Sequence, residues 1–282
     1  MKHLGLALAT FGLIFPMAAL AGDPSWSAPS EPYNIYGNVW SVGTQGVCVF
    51  LITTPKGHIL IDATTEAGAA VVEANVVKLG FKLRDIKYVL ESHAHYDHVG
   101  GMAKIKRDTG AVFVASAGDR YGLEHGTHVG DNVNGIATFT PVKVDRVIGD
   151  GGEVSLGGVI LTAHMTPGHT RGDTSWTTTI AGPVQPLHVV FYGSTTTAGN
   201  VLVGNKAYPG IVGDYRTSFA RLKALKVDLL LGDHPEFFHM DDKRAKQLAG
   251  NAKAFIDPTE YPGFVAHSQA DFEAELKRQG GH

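Results

Sequence analysis

The chain has 282 residues, 44% of them hydrophobic, with 24 lysines and arginines against 27 aspartates and glutamates for a net charge of −3. That is an ordinary globular composition, and no basic excess or patch points to nucleic acid as a partner. The single cysteine, Cys48, rules out an intramolecular disulfide.

Residues 1–21 read as a secretory signal peptide. Lys2 gives a positive start, Leu4 to Leu20 is almost wholly apolar, and Ala19-Leu20-Ala21 has the small-x-small form of a cleavage site. The apolar run is shorter than the ~18–20 residues a spanning helix needs and is broken by Pro16, so a stable membrane anchor is not expected. Cleavage removes Lys2 and moves the charge from −3 to −4. The mature chain, 22–282, is expected to be periplasmic or secreted, a single domain and a monomer.

Gly22 to Glu31, with Pro24 and Pro29, reads as an exposed lead-in. A β pattern starts at Ile35 and continues through Val39–Val42, Val47–Thr53 and His58–Asp62, the last two joined at Pro55-Lys56-Gly57 as a hairpin. Cys48 falls inside the apolar run 47–52 and reads as a buried small hydrophobe. A helix opens at Thr65-Glu66, carries Ala69, Val72, Val76 and Val77 on its apolar positions, and stops at Gly80. A buried strand follows at 86–90, then a helix over 102–108 and a strand at 112–115.

Residues 117–140 are glycine-rich and polar and read as a solvated loop, with His125 and His128 in it. Further strands are predicted at 142–148, 153–156, 159–164, 175–180, 187–192 and 227–231, and helices at 214–225, 241–254 and 268–279. Strands and helices, a β-rich middle, then strands and helices again predict an α/β protein with two sheets packed face to face and helices outside.

The chemistry concentrates in Ser92-His93-Ala94-His95-Tyr96-Asp97-His98, set between the 86–90 strand and the helix after Gly100-Gly101. A strand, a ligand-bearing loop and a helix is how an α/β fold presents a site at the carboxyl edge of its sheet. In extended backbone His93 and His95 point the same way and can reach one metal, while Asp97 and His98 point elsewhere and suggest a second. A catalytic zinc takes three protein ligands and leaves a position for water. His169, in the rigid turn Thr166-Pro167-Gly168-His169, is the best third ligand for the first metal, ahead of His164 within the preceding strand. His234, which follows the run Leu229-Leu230-Leu231, can complete the second. His58, His188, His239 and His267 follow no such pattern. Asp62, at the end of its strand, either orients a ligating histidine or caps the 65–79 helix.

These residues resemble the metallo-β-lactamase superfamily, an αββα four-layer sandwich, from about Tyr36 to the last helix. More narrowly the chain looks like subclass B3 of the zinc β-lactamases, through 92–101, Thr166 to Gly172, Tyr192 to Thr196, Tyr208-Pro209-Gly210 and Asp214-Tyr215-Arg216. The resemblance implies two zinc ions, one held by His93, His95 and His169 and the other by Asp97, His98 and His234. It implies a second sphere role for Asp62, and carboxylate binding by Ser194 and Thr196. Hydrolytic relatives carry Asp at the position of Ser194, and subclasses B1 and B2 carry Cys. Serine is a poor zinc ligand, so His98 must serve instead.

The implied activity is hydrolysis of the β-lactam amide of penicillins, cephalosporins and carbapenems, conferring antibiotic resistance. The nucleophile is a hydroxide shared by the zinc ions, with its pKa lowered from about 15.7 to near 7. Asp97 orients it and relays its proton, beside His98 as the other catalytic residue. A lactonase or thioesterase of the same fold is the alternative, and a zinc-binding protein without turnover a third.

Overall fold

The computed structural model describes residues 22–282 apart from 136 and 183; the signal peptide expected at 1–21 lies outside them. A first sheet takes its seven strands in chain order: β1 (Tyr33–Tyr36), β2 (Val39–Ser41), β3 (Phe50–Thr54), β4 (Gly57–Ile61), β5 (Ile86–Leu90), β6 (Val112–Ser116) and β7 (Arg146–Ile148). The pairs from β1 to β4 are antiparallel and those from β4 to β7 parallel. Parallel neighbours need crossovers. These carry α1 (Ala69–Lys78), then α2 (Tyr96–Val99) with α3 (Met102–Thr109), then α4 (Arg120–His125). The second sheet holds β8 (Glu153–Leu156), β9 (Val159–Met165), β10 (Thr174–Ile180), β11 (Leu187–Tyr192) and β12 (Leu229–Gly232). It is antiparallel through β11, and β12 returns parallel after α5 (Ile211–Lys223). The chain closes with α6 (Met240–Leu248) and α7 (Glu260–Arg278).

Alternation along the first sheet explains the layering. Phe50, Ile52, Ile59, Ile61, Leu90 and Val114 face the second sheet, while Leu51, Leu60, Val89 and Phe113 pack against Val72, Val76 and Ile105 of the helices. Strands apolar on both faces must be covered twice, and the αββα sandwich does so. On the far side, Tyr215, Phe219, Tyr261 and Phe272 of α5 and α7 cover the second sheet. Among the described residues no helix is long and apolar enough to cross a membrane.

Trp176 of β10 is fully buried in the core, and its Nε1 donates to Glu91 O at 2.8 Å, just past β5. It thereby ties the first sheet to the second beside the ligand loop. Trp176→Ala is expected to cost about 3–5 kcal/mol of stability. Urea denaturation measures this, and a loss below about 1 kcal/mol would show that the core can close over the vacancy.

Several boundaries differ from expectation, among them the helix read over 241–254, which ends at Leu248, and the one opened at 65, which starts at Ala69. The 142–148 strand shrinks to β7, although Val142 and Val144 are buried as a strand's would be. Val142 N bonds to Leu123 O on α4 and Asp145 to Phe113, so tertiary partners replace the ladder there. The 117–140 segment contains α4. The last helix starts at Glu260, eight residues before the predicted 268, because Pro262 lies in the first turn, where its missing N–H costs nothing. Tyr261 and Val265, both buried, hold that early part to the core.

Candidate metal centre

The loop after β5 leaves the sheet at its carboxyl edge. His95 has extended backbone (φ −97°, ψ 151°) and precedes α2, and the change to helix at Tyr96 turns Asp97 and His98 away from the first two histidines. His169 follows β9 in a turn where Gly168 has φ +141°. A Cβ at Gly168 would sit 2.7 Å from the Tyr215 ring, so only glycine allows the approach. His234 lies two residues past β12.

The structure brings all six candidates together; their donors form the two expected groups, and His93 and His98 form a third, overlapping one with Asp233. The donor atoms of His93, His95 and His169 lie within 4.8 Å of one another, and so do those of Asp97, His98 and His234. His93 Nε2 is 3.2 Å from His169 Nε2, and His98 Nε2 is 3.2 Å from His234 Nε2. Asp97 Oδ2 lies 3.3 Å from His98 Nε2 and 3.5 Å from His234 Nε2. His93 and His98, with ring centroids 4.2 Å apart, join the groups.

The outward nitrogens are anchored. His169 Nδ1 meets Thr196 O at 2.7 Å, His234 Nδ1 meets Gly46 O at 2.7 Å, and His98 Nδ1 meets Asp62 Oδ2 at 3.2 Å. Backbone carbonyls can only accept, so Nδ1 of His169 and of His234 carries the proton and Nε2 offers its lone pair to the site.

Burial pushes the His93 and His95 pKa values well down, helped by the neighbouring imidazoles, and takes His169 to about 3. Three neutral imidazoles facing one another are a metal-binding set. Burial would raise Asp97, but His98 and His234 outweigh it and keep the carboxyl ionised. For His98 burial acts downward, and the Asp97 and Asp62 carboxylates reverse it.

Behind the imidazoles lies a layer of buried carboxylates. Asp62, with φ +66°, accepts from Ser92 N and Ser92 Oγ, both at 2.7 Å, and faces His98. Gly68 rather than Asp62 precedes α1, so Asp62 orients the ligand loop and is no helix cap. Asp119 accepts from Ala94 N at 2.9 Å, Thr170 Oγ1 at 2.7 Å and Gly172 N at 2.9 Å, clamping both ligand loops. Burial pushes Asp119 up to about 6 against those bonds. Asp173 holds Ser194 N at 2.8 Å. Asp233 is buried with neither oxygen bonded, 3.8 Å from His93 Nδ1. Of these only Asp62 is a candidate from sequence; Asp119 comes from a loop with no ligand-like spacing, while Asp173 and Asp233 sit in the His169 and His234 loops.

Five of the six donor residues, all but the fully buried His98, line a cleft of about 660 Å³ that Ser194 and Thr196 also line. Ser194 is buried, with its Oγ 3.3 Å from Thr196 Oγ1. Two sequence expectations are corrected here. The lead-in is no free exposed arm, because Trp26 lines the cleft with its ring centroid 6.1 Å from that of His234 and 5.6 Å from that of Tyr96. His128 is not solvated: it is buried, and its Nδ1 lies 2.9 Å from His95 Nε2. Its separation in sequence from every ligand concealed it. His125 ends α4, stacked on Tyr121, and His164 pairs with Thr177 Oγ1 at 2.8 Å within the sheet.

A model of the metallo-β-lactamase superfamily matches residues 42–234. Among solved structures, BJP-1, a subclass B3 metallo-β-lactamase of Bradyrhizobium japonicum, is 44% identical with a TM-score of 0.86, covering 91% of this chain and 97% of that one. The FEZ-1 metallo-β-lactamase from Legionella gormanii is 37% identical with a TM-score of 0.85, covering 91% and 99%. The curated relatives include a hydroxyacylglutathione hydrolase of Rhodospirillum rubrum, 27% identical over 146 residues, which are 52% of this chain and 46% of that protein. Another, from Methylobacterium nodulans, is 34% identical over 120 residues, 40% of this chain and 39% of that protein. The chain therefore spans less than half the length of these two curated relatives.

Proposed function

The chain belongs to the metallo-β-lactamase superfamily and is a hydrolase, and from that membership we propose that it hydrolyses the β-lactam amide with two zinc ions. One observation carries the reading: two groups of three N and O donors lie together, five of the six residues lining one cleft beside Ser194 and Thr196.

The donor set fits zinc. Nitrogen lone pairs 3.2 Å apart repel unless a proton or cation lies between them, and that spacing recurs at His93–His169 and at His98–His234. Three-ligand sets of imidazole and carboxylate are those of catalytic rather than structural zinc. His93, His95 and His169 would hold one ion, and Asp97, His98 and His234 the other. When bound, zinc supplies Lewis acidity and a nucleophilic water at neutral pH.

The remaining work falls to the chain. Ser194 and Thr196 hydroxyls bind the substrate carboxylate and set the amide over the ligand groups. Asp97 turns Oδ2 toward His98 and His234, which leaves Oδ1 to orient the attacking water and take its proton. Asp62 and the Gly46 and Thr196 carbonyls keep the imidazoles in fixed orientations. Trp26 and Tyr96 wall the cleft against bulk water. The signal peptide expected at 1–21 would deliver the enzyme to the periplasm, where β-lactams act.

The test is turnover of one penicillin, one cephalosporin and one carbapenem by zinc-loaded protein, with a lactone and a thioester alongside. β-Lactam turnover that a chelator abolishes supports the reading. Thioester turnover without β-lactam turnover replaces it with the activity named in the curated relatives. Ser194→Ala is expected to leave metal content unchanged and to raise KM. A hydrogen bond to a charged group contributes about 1.5–3 kcal/mol, a ten- to hundredfold loss in kcat/KM. Loss of a metal from this variant would contradict its role.

A further inference from the structure

We infer that His128 is a positioning residue for His95: its Nδ1 accepts the Nε2 proton of His95 and so commits His95 Nδ1 to the metal. The inference rests on the first zinc being held as proposed above. His95 Nε2 and His128 Nδ1 are 2.9 Å apart, with ring centroids 4.7 Å apart. One nitrogen of such a pair must donate and the other accept. The nitrogen of His95 left for the ligand group is Nδ1, and a lone pair there requires the proton on Nε2. His128 Nδ1 must then accept, and its own proton sits on Nε2, a buried atom with no protein partner.

His95 differs from the other ligand histidines: His93 Nδ1 lies 3.0 Å from Ser92 Oγ, which already donates to Asp62 and so accepts. His169 and His234 are anchored by backbone carbonyls and His98 by the Asp62 carboxylate, groups that can only accept. His95 alone depends on another imidazole, which could in principle donate. The neighbouring backbone is held as well: Gly126 closes α4 in the left-handed region (φ +66°), Thr127 N bonds to Gly122 O at 3.0 Å, and Thr127 bridges to Thr138. His128 is therefore presented at a set place rather than carried on a free loop.

The experiment compares wild type, His128→Leu and His128→Asn by chelator competition for zinc and by ¹⁵N imidazole NMR of the zinc-loaded proteins. Leucine removes the acceptor, and asparagine returns an amide oxygen near the place of Nδ1. The expected result is a 10- to 100-fold weaker first zinc in His128→Leu, loss of the hydrogen-bonded His95 Nε2–H signal, and recovery of most of the affinity in His128→Asn. Wild-type affinity and signal in the leucine variant would overturn the inference, as would an asparagine variant that folds but binds no better. If a variant misfolds, the wild-type spectrum decides: a proton on His128 Nδ1 overturns the inference, and one on Nε2 supports it. Wild type that binds no zinc at His93, His95 and His169 would instead refute the functional reading on which the inference stands.

Discussion

His98→Ala is expected to strip one metal from the protein, to leave the other bound, and to lower kcat/KM by about a thousandfold, or ~4 kcal/mol. His98 occupies the middle of its group, with Nε2 3.2 Å from His234 Nε2 and 3.3 Å from Asp97 Oδ2. Without it, one imidazole and one carboxylate remain, too few for a catalytic zinc site. His93, His95 and His169 keep their own anchors, so their ion stays. Metal analysis after exhaustive dialysis, paired with kinetics, reads both effects. Two ions retained in His98→Ala would mean that the ligands divide differently, with Asp233 Oδ2, 4.0 Å from His98 Nε2, as the group able to step in.

The second large effect belongs to Asp62→Ala. Its carboxylate accepts from Ser92 N and Ser92 Oγ and faces His98 Nδ1, all buried. Each buried donor left without a partner costs about 1–3 kcal/mol. The left-handed backbone at φ +66° suits alanine less well than aspartate and adds to that cost. A loss of about 3–5 kcal/mol in total follows, together with a 10- to 100-fold weaker metal at Asp97, His98 and His234. Denaturation in the presence of chelator isolates the stability effect, and metal competition gives the rest. Asp62→Asn should recover part of the stability, because asparagine tolerates the left-handed region and keeps one acceptor. Wild-type stability in Asp62→Ala would show that something else holds the ligand loop.

Most of the strands could be read in advance because their signal is local. Ile59, Leu60 and Ile61 are apolar whichever way they face, and a run bounded by Gly57 and Asp62 has little choice but a doubly covered strand. Boundaries failed where a distant partner replaced a local one. Val142 and Val144 have the composition of a strand, yet Leu123 O takes the Val142 N–H and Phe113 pairs with Asp145. The last helix is expected from 268, yet α7 starts at Glu260 and runs through Pro262 and Gly263, because Tyr261 and Val265 are buried beneath.

The candidate site divides in the same way. Four of the six ligand candidates come from one run of six residues, where strand geometry, two-residue spacing and a helix start lie within a few bonds of one another. His169 and His234 are legible because each follows closely on a strand, four residues past β9 and two past β12. The sequence by itself therefore determines which side chains can donate, and that two sheets will flank them, since both properties follow from short-range backbone geometry. Only the tertiary structure decides which nitrogen of each ring faces the site, that Asp62 meets His98 rather than a helix end, and that Asp119, Asp173, Asp233, Trp26 and His128 gather around it. The reason is physical: those contacts join residues more than 20 apart in the chain, such as Asp119 to Ala94 and His128 to His95. Their distances are set by the packing of one sheet on the other, and no periodicity within a segment encodes them.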